Sequence, residues 1–120
     1  LLNYGHTIGH ALEAAKGYGQ FLHGEAVSIG MMGVARLSQR LGLVGEDVVE
    51  RQQQLLQRFG LPLSAPGIKM ELVLKAMELD KKTREGAIHW VLLRGIGEVI
   101  TLHRVPQTEV IAVLEELLNK

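Results

Sequence analysis

The sequence predicts a mainly α-helical domain, a helical bundle that carries one small β-hairpin. Apolar residues recur every three to four positions through most of the chain, as they do along the buried face of an α-helix. Two β-rich runs, AIHWVLL and EVITLHRV, flank a glycine turn and predict a hairpin at about residues 87–104. A length of 120 residues fits a single domain.

Five helices are expected around this hairpin. They cover residues 3–16, 25–41, 46–59, 69–79 and 106–120. The second is apolar on nearly all sides, which is typical of a helix at the centre of a bundle. It also contains Gly30 and Gly33, which weaken a helix by about 1 kcal/mol each and therefore predict that a neighbouring element comes close. Pro106 suits the first turn of the last helix.

Composition excludes several classes of function. Hydrophobic residues make up 47% and charged residues 22% of the chain, as in a globular protein. Thirteen basic and thirteen acidic residues cancel, so nucleic acid and anionic membranes are not expected partners. The absence of cysteine excludes thiolate metal sites. No signal peptide or long apolar span is apparent, and a cytoplasmic location is expected. Because the first residue is Leu, within the most informative motif, we expect a fragment of a longer protein.

One face of the first predicted helix carries groups that can bind a ligand as well as water. At 100° per residue the face contains Asn3, His6, His10 and Glu13. A solvated face is usually built from Lys, Glu and Arg, whereas this one has two histidines four residues apart. Gly5 and Gly9 lie beside it and indicate a close approach to the backbone. The spacing is compatible with a metal site but also occurs by chance.

His23 strengthens the metal interpretation. It precedes the second predicted helix, whose positive end disfavours the imidazolium form and favours the neutral ring that binds metals. Without cysteine, two histidines and a carboxylate form the expected ligand set. Glu13 and Glu25 are candidates for that carboxylate or for a group that orients a ligating ring, and spacing does not distinguish these roles. His89 and His103, in the predicted hairpin, are expected to be structural or solvent-facing.

A charged segment, Asp80-Lys-Lys-Thr-Arg84, is predicted between the fourth helix and the hairpin. It can be a solvated turn, because basic side chains suit the end of a helix. It can equally bind an anion, and the sequence pattern leaves both interpretations open.

The stretches LLNYGHTIGHALEAAKGYGQFLHGEAVSIGMMG, DKKTREG and VLLRGIGE closely resemble the C-terminal domain of the 3-dehydroquinate synthase family. The resemblance covers essentially the whole chain. It implies the C-terminal domain of a dehydroquinate synthase-like fold and a part in the shikimate pathway. The reaction implied is an NAD-dependent and metal-dependent elimination of phosphate that turns a sugar-acid phosphate into a carbocycle. The metal implied is zinc or cobalt.

The resemblance also implies roles for individual residues. His6 and His23 would be metal ligands, and His10 would act on the substrate as the catalytic residue. Asn3 and a lysine of the pair Lys81-Lys82, preferably Lys82, would bind the substrate. The third metal ligand would be an upstream glutamate, which leaves Glu13 and Glu25 in supporting positions.

The resemblance further implies that NAD binds mainly to an N-terminal Rossmann-like domain absent from this chain, so no cofactor-binding residue is expected here. The full-length protein would be a homodimer. Two alternatives remain at this point. In the first, the chain comes from another sugar-phosphate cyclase, such as 2-deoxy-scyllo-inosose synthase. In the second, the chain by itself is a non-catalytic helical domain that binds metal weakly or only packs against partners.

Overall fold

The computed structural model describes residues 5–16, 23–83, 86, 88–95 and 98–119. The elements, in chain order, are α1 (His6–Lys16), α2 (His23–Arg40), α3 (Glu46–Arg58), α4 (Met70–Thr83), β1 (Trp90–Gly95), β2 (Glu98–Leu102) and α5 (Gln107–Leu118). The two strands form one antiparallel sheet. The predicted fold class, a mainly α-helical bundle with one hairpin, is confirmed. No helix in these ranges is both long and apolar enough to cross a membrane.

Helix α2 lies at the centre of the fold, as its apolar sequence predicts. Ten of its 18 residues are buried, and it packs against α1, α3, α5 and β1. The side chains of Ile29 and Leu37 are completely inaccessible to solvent. Burial of a side chain of this size stabilises a fold by roughly 1.5–3 kcal/mol. The hydrophobic core is therefore organised around α2, and the other elements are positioned by contact with it.

The beginning of α1 rests directly on the backbone of α2 through glycine. A Cβ atom at Gly30 would overlap the carbonyl oxygen of Gly5 and lie 2.9 Å from the amide nitrogen of Gly9. Gly5 itself has a φ of +84° and no room for a side chain beside Met31, so its conformation and its contact both require glycine. The predicted close approach is confirmed, and it fixes the position of the following residue, His6.

The hairpin is attached to α2 through a buried serine. The hydroxyl of Ser38 accepts a hydrogen bond of 2.9 Å from the backbone N–H of Leu93 and donates one of 2.7 Å to the carbonyl of Val34. On β1, Trp90 and Leu92 face the core. Since side chains alternate along a strand, the intervening Val91, paired with Thr101 of β2, faces the opposite side.

Several predicted helix boundaries differ from the observed ones, and three of the differences concern residues singled out in the sequence. Helix α2 begins at His23 rather than at residue 25, and Pro106 is the residue that precedes α5 rather than part of its first turn. Helix α4 continues to Thr83 instead of ending at residue 79. The prediction that Lys81 and Lys82 lie between this helix and the hairpin was therefore wrong. Cations in the last turn are favoured by the helix dipole.

Candidate metal and substrate site

Three imidazole rings converge where α1 meets the first turn of α2. The rings of His6 and His10, one helical turn apart, are stacked with centroids 5.4 Å apart. The ring of His23 lies 5.9 Å from that of His6 and 6.2 Å from that of His10. One turn of α1 sets the spacing of His6 and His10, and the glycine contact sets their spacings to His23, because it holds α1 against α2 immediately beside His6.

The spacing of His6 and His23 suits two ligands of one metal ion. A metal about 2.0–2.1 Å from an imidazole nitrogen is about 3 Å from the ring centroid, so two ligating rings have centroids roughly 5–6 Å apart. Among the described residues, however, no group of three or more His, Asp and Glu side chains is placed to hold a metal. His6 and His23 therefore fit as two of the ligands of a metal ion, and at least one further ligand is needed from outside the described ranges.

The electrostatic environment favours the neutral form of His6. Burial lowers the pKa of this ring, and the neighbouring His10 and His23 lower it further, whereas Glu13 acts in the opposite direction. A neutral imidazole keeps the nitrogen lone pair that binds a metal. The arrangement thus prepares His6 for the role of ligand.

Glu13 orients the ring of His23. Its Oε1 lies 3.0 Å from Nδ1 of His23, and the Glu13 side chain is 13% exposed whereas that of His23 is 61% exposed. When Nδ1 donates its proton to this carboxylate, Nε2 is the nitrogen left to bind a metal, the usual arrangement for a carboxylate behind a ligating histidine. Glu25, the other candidate, is half-buried in the first turn of α2.

Two clefts open on either side of His10. One, of about 510 Å³, extends between α1, the start of α2 and α4 and includes Glu13 and His23. The other, of about 260 Å³, includes His6 and reaches the hairpin. Thr7, His10 and Asp80 line both clefts. His10 is exposed, so its ring is accessible to a molecule bound in either space.

The structure adds residues that sequence reasoning missed. Asp80 of α4, together with His89 and Thr101 of the hairpin region, lines the cleft beside His6 and His10. His89 is exposed, and its ring meets that of His103 edge-on at 4.6 Å. Strand alternation could have placed His89 on the face of Val91, but nothing in the sequence showed that this face is turned toward α1.

The predicted substrate-binding lysines do not line the two clefts beside His10. Lys81 lines a third cleft, of about 720 Å³, together with Trp90 and Arg104. Lys82 is exposed in the last turn of α4. Asn3 and Arg84 lie outside the described residues.

Fold and site together define the class of protein: a helical domain with a cluster of imidazoles open to two clefts. The chain belongs to the 3-dehydroquinate synthase C-terminal family, whose sequence profile matches residues 1–83. It is 46% identical over 118 residues to the 3-dehydroquinate synthase of Methylacidiphilum infernorum, covering 98% of this chain and 33% of that protein. It is 45% identical over 119 residues to the enzyme of Acidithiobacillus ferrooxidans, covering 99% and 33%. The chain thus spans about a third of the length of these relatives.

Solved structures of two synthases share the fold. A 2-epi-5-epi-valiolone synthase from Streptomyces hygroscopicus subsp. jinggangensis, solved with NAD+ and Zn²⁺, superposes with a TM-score of 0.85 at 32% identity, covering 97% of this chain and 32% of that one. A 2-deoxy-scyllo-inosose synthase complexed with carbaglucose-6-phosphate, NAD+ and Co²⁺ gives a TM-score of 0.79 at 32% identity, covering 97% and 34%.

Proposed function

We propose that this chain is the metal- and substrate-binding part of a 3-dehydroquinate synthase. The complete protein would convert 3-deoxy-D-arabino-heptulosonate 7-phosphate into 3-dehydroquinate and phosphate in the shikimate pathway. The observation that carries the proposal is the convergence of His6, His10 and His23 at the junction of α1 and α2. Identities of 45–46% to enzymes of that name over nearly the whole chain support it.

In this proposal His6 and His23 hold the metal. The pKa of His6 is lowered, so its ring is available to a metal near neutral pH. Glu13, hydrogen-bonded to Nδ1 of His23, would leave Nε2 of that ring available to the ion. A glutamate from upstream of this chain would complete the ligand set. Histidine and carboxylate donors suit zinc and cobalt alike.

The remaining residues act on the substrate. When bound, the divalent metal acidifies the substrate hydroxyls and NAD accepts and returns a hydride. His10 lies one turn from His6 and borders both clefts, so it can exchange protons with the substrate rather than bind the ion. Asn3 and a lysine of the Lys81-Lys82 pair would contact the polar and anionic ends of the substrate. NAD would bind mainly to an N-terminal domain, and the full-length enzyme would be a homodimer.

The alternative to this proposal is the activity of another sugar-phosphate cyclase. The 2-deoxy-scyllo-inosose synthase and the valiolone synthase share the fold at 32% identity. Cyclases of this kind use related metal chemistry, and they would differ in the groups that contact the substrate. The higher identity to 3-dehydroquinate synthases favours the heptulosonate phosphate as substrate.

The direct test uses the complete protein that contains this chain. Loaded with Zn²⁺ or Co²⁺ and supplied with NAD+, it should release phosphate from 3-deoxy-D-arabino-heptulosonate 7-phosphate and form 3-dehydroquinate. Glucose 6-phosphate, the parent sugar of the carbocyclic ligand bound by the inosose synthase, serves as the comparison substrate. Preferential turnover of glucose 6-phosphate would instead identify an inosose-type cyclase.

The isolated 120 residues should show no turnover, because no hydride acceptor site is expected within them. NAD-dependent consumption of the sugar-acid phosphate by this segment alone would contradict the proposed division between two domains. Metal binding without turnover in the complete protein would instead favour the remaining alternative, a non-catalytic metal-binding domain.

A further inference from the structure

The space around His10 contains a carboxylate that none of the roles above uses. Asp80 belongs to α4 and lies more than 60 positions beyond Lys16, the last residue of α1. It borders both clefts, and among the described residues that line them only Thr7 and His10 do the same. Asp80 therefore lies at the junction of the two spaces that a molecule in contact with His10 would occupy.

The fold holds Asp80 firmly at this junction. Met77, almost one helical turn earlier, is 6% exposed and packs in the core. After Asp80 the helix continues to Thr83, whose hydroxyl donates a 3.0 Å hydrogen bond to the carbonyl of Leu79. Asp80 itself is half-buried. Its backbone is thus set by a regular helix rather than by a loop.

Glu13 is the other carboxylate in the cleft that includes His23, and it has a different role. Oε1 of Glu13 is engaged with Nδ1 of His23, so that carboxylate is committed to the ring of a metal ligand. Asp80 borders the same cleft from the opposite helix. Among the described residues that line the smaller of the two clefts, Asp80 is the one carboxylate. His89, Val91 and Thr101 form another wall of this cleft from the hairpin side.

The geometry points to Asp80 as a substrate-binding residue that accepts a hydrogen bond from a hydroxyl group of the substrate beside His10. A carboxylate accepts hydrogen bonds through two oxygens, and a polyol presents several O–H donors. Hydrogen bonds to a charged acceptor are roughly twice as strong as neutral ones. This inference rests on the proposed function for the identity of the substrate, a polyhydroxylated sugar-acid phosphate.

The test compares Asp80→Asn with Glu71→Gln in the complete, metal-loaded protein. Both variants exchange a carboxylate for an amide on α4, but Glu71 is exposed in the first turn of this helix, away from Asp80. Loss of a charge-assisted hydrogen bond should raise the KM of Asp80→Asn about 10-fold or more. Its kcat should change little, because the contact is made in the ground state and the transition state alike. Glu71→Gln should retain the wild-type KM.

Two further measurements separate binding from structure. Bound metal per subunit should be equal in the wild type and Asp80→Asn, and Asp80→Glu should recover part of the lost affinity. Calorimetric titration with a carbocyclic, non-reacting phosphate analogue should show the same loss of affinity in Asp80→Asn.

A wild-type KM and analogue affinity in Asp80→Asn would overturn the inference, as would loss of metal or a fall in kcat at constant KM. These results leave the proposed function intact. Lack of turnover by the wild-type protein contradicts the proposed function instead, and the analogue titration then still decides the role of Asp80.

Discussion

Oε1 of Glu13 lies 3.0 Å from Nδ1 of His23, so a carboxylate from α1 orients a ring at the start of α2. The contact joins residues ten positions apart across the junction of the two helices. The position of Glu13 on the polar face of α1 is compatible with either a ligand or an orienting group. The contact with His23 favours the orienting role. Because the carboxylate is largely shielded while the ring is exposed, the free edge of His23 is directed outward, where the proposed metal would bind.

Replacing Glu13 by Ala should weaken metal binding without removing a ligand. Loss of such an outer carboxylate typically lowers metal affinity by about 10–100-fold, and Glu13→Gln should have a smaller effect because its amide oxygen still accepts from Nδ1. Competition with a chelator, followed through cobalt absorption, measures the change. Glu50→Ala, on the exposed face of α3, is the control. Wild-type affinity in Glu13→Ala would show that the contact does not support the metal.

Gly30→Ala should separate α1 from α2. The new methyl group would meet the backbone of Gly5 and Gly9, which cannot rotate away, so the overlap exceeds the gain of about 1 kcal/mol in helix propensity. We expect a net loss of about 1–3 kcal/mol in the free energy of unfolding, measured with urea. Gly24→Ala is the matched control in the same helix, because a Cβ there meets nothing within 4 Å. Equal stabilities of the two variants would contradict the close helix contact.

Ser38→Ala should loosen the hairpin from α2. The buried N–H of Leu93 would lose its acceptor, and an unsatisfied buried donor costs about 1–3 kcal/mol. Ser28→Ala removes a hydroxyl that only donates to the carbonyl of Pro62, so its effect should be smaller. Hydrogen exchange at the Leu93 amide, together with urea unfolding, distinguishes the variants. Unchanged protection of that amide in Ser38→Ala would show that the serine does not hold the strand.

The local pattern of apolar residues and glycines was sufficient to predict much of the fold. The continuous apolar surface of α2 identified the central helix, and Gly30 indicated a close neighbour before that neighbour was known. The end of α4 was missed because Lys81, Lys82 and Thr83 look like a solvated turn, although lysine is tolerated in a helix and favoured near its negative end.

The candidate site was predicted only in part. Spacing along one helix placed His6 and His10 on a common face, and His23 followed from its place at the start of the second predicted helix. Asp80 and His89 could not be assigned in this way, because their approach to α1 depends on how α4 and the hairpin pack against distant elements. Neither helical periodicity nor strand alternation carries that information.

The most direct test of the account is the amount of metal bound by His6→Ala and His10→Ala in the complete protein. His6→Ala removes a proposed ligand and should lose most of its metal on dialysis, with activity falling in parallel. His10→Ala should keep its metal, while turnover falls by a factor of about 10² to 10⁴ through loss of a proton-transfer group. If the His10 variant is the one that loses metal and the His6 variant retains it, the assignment of the two histidines is contradicted.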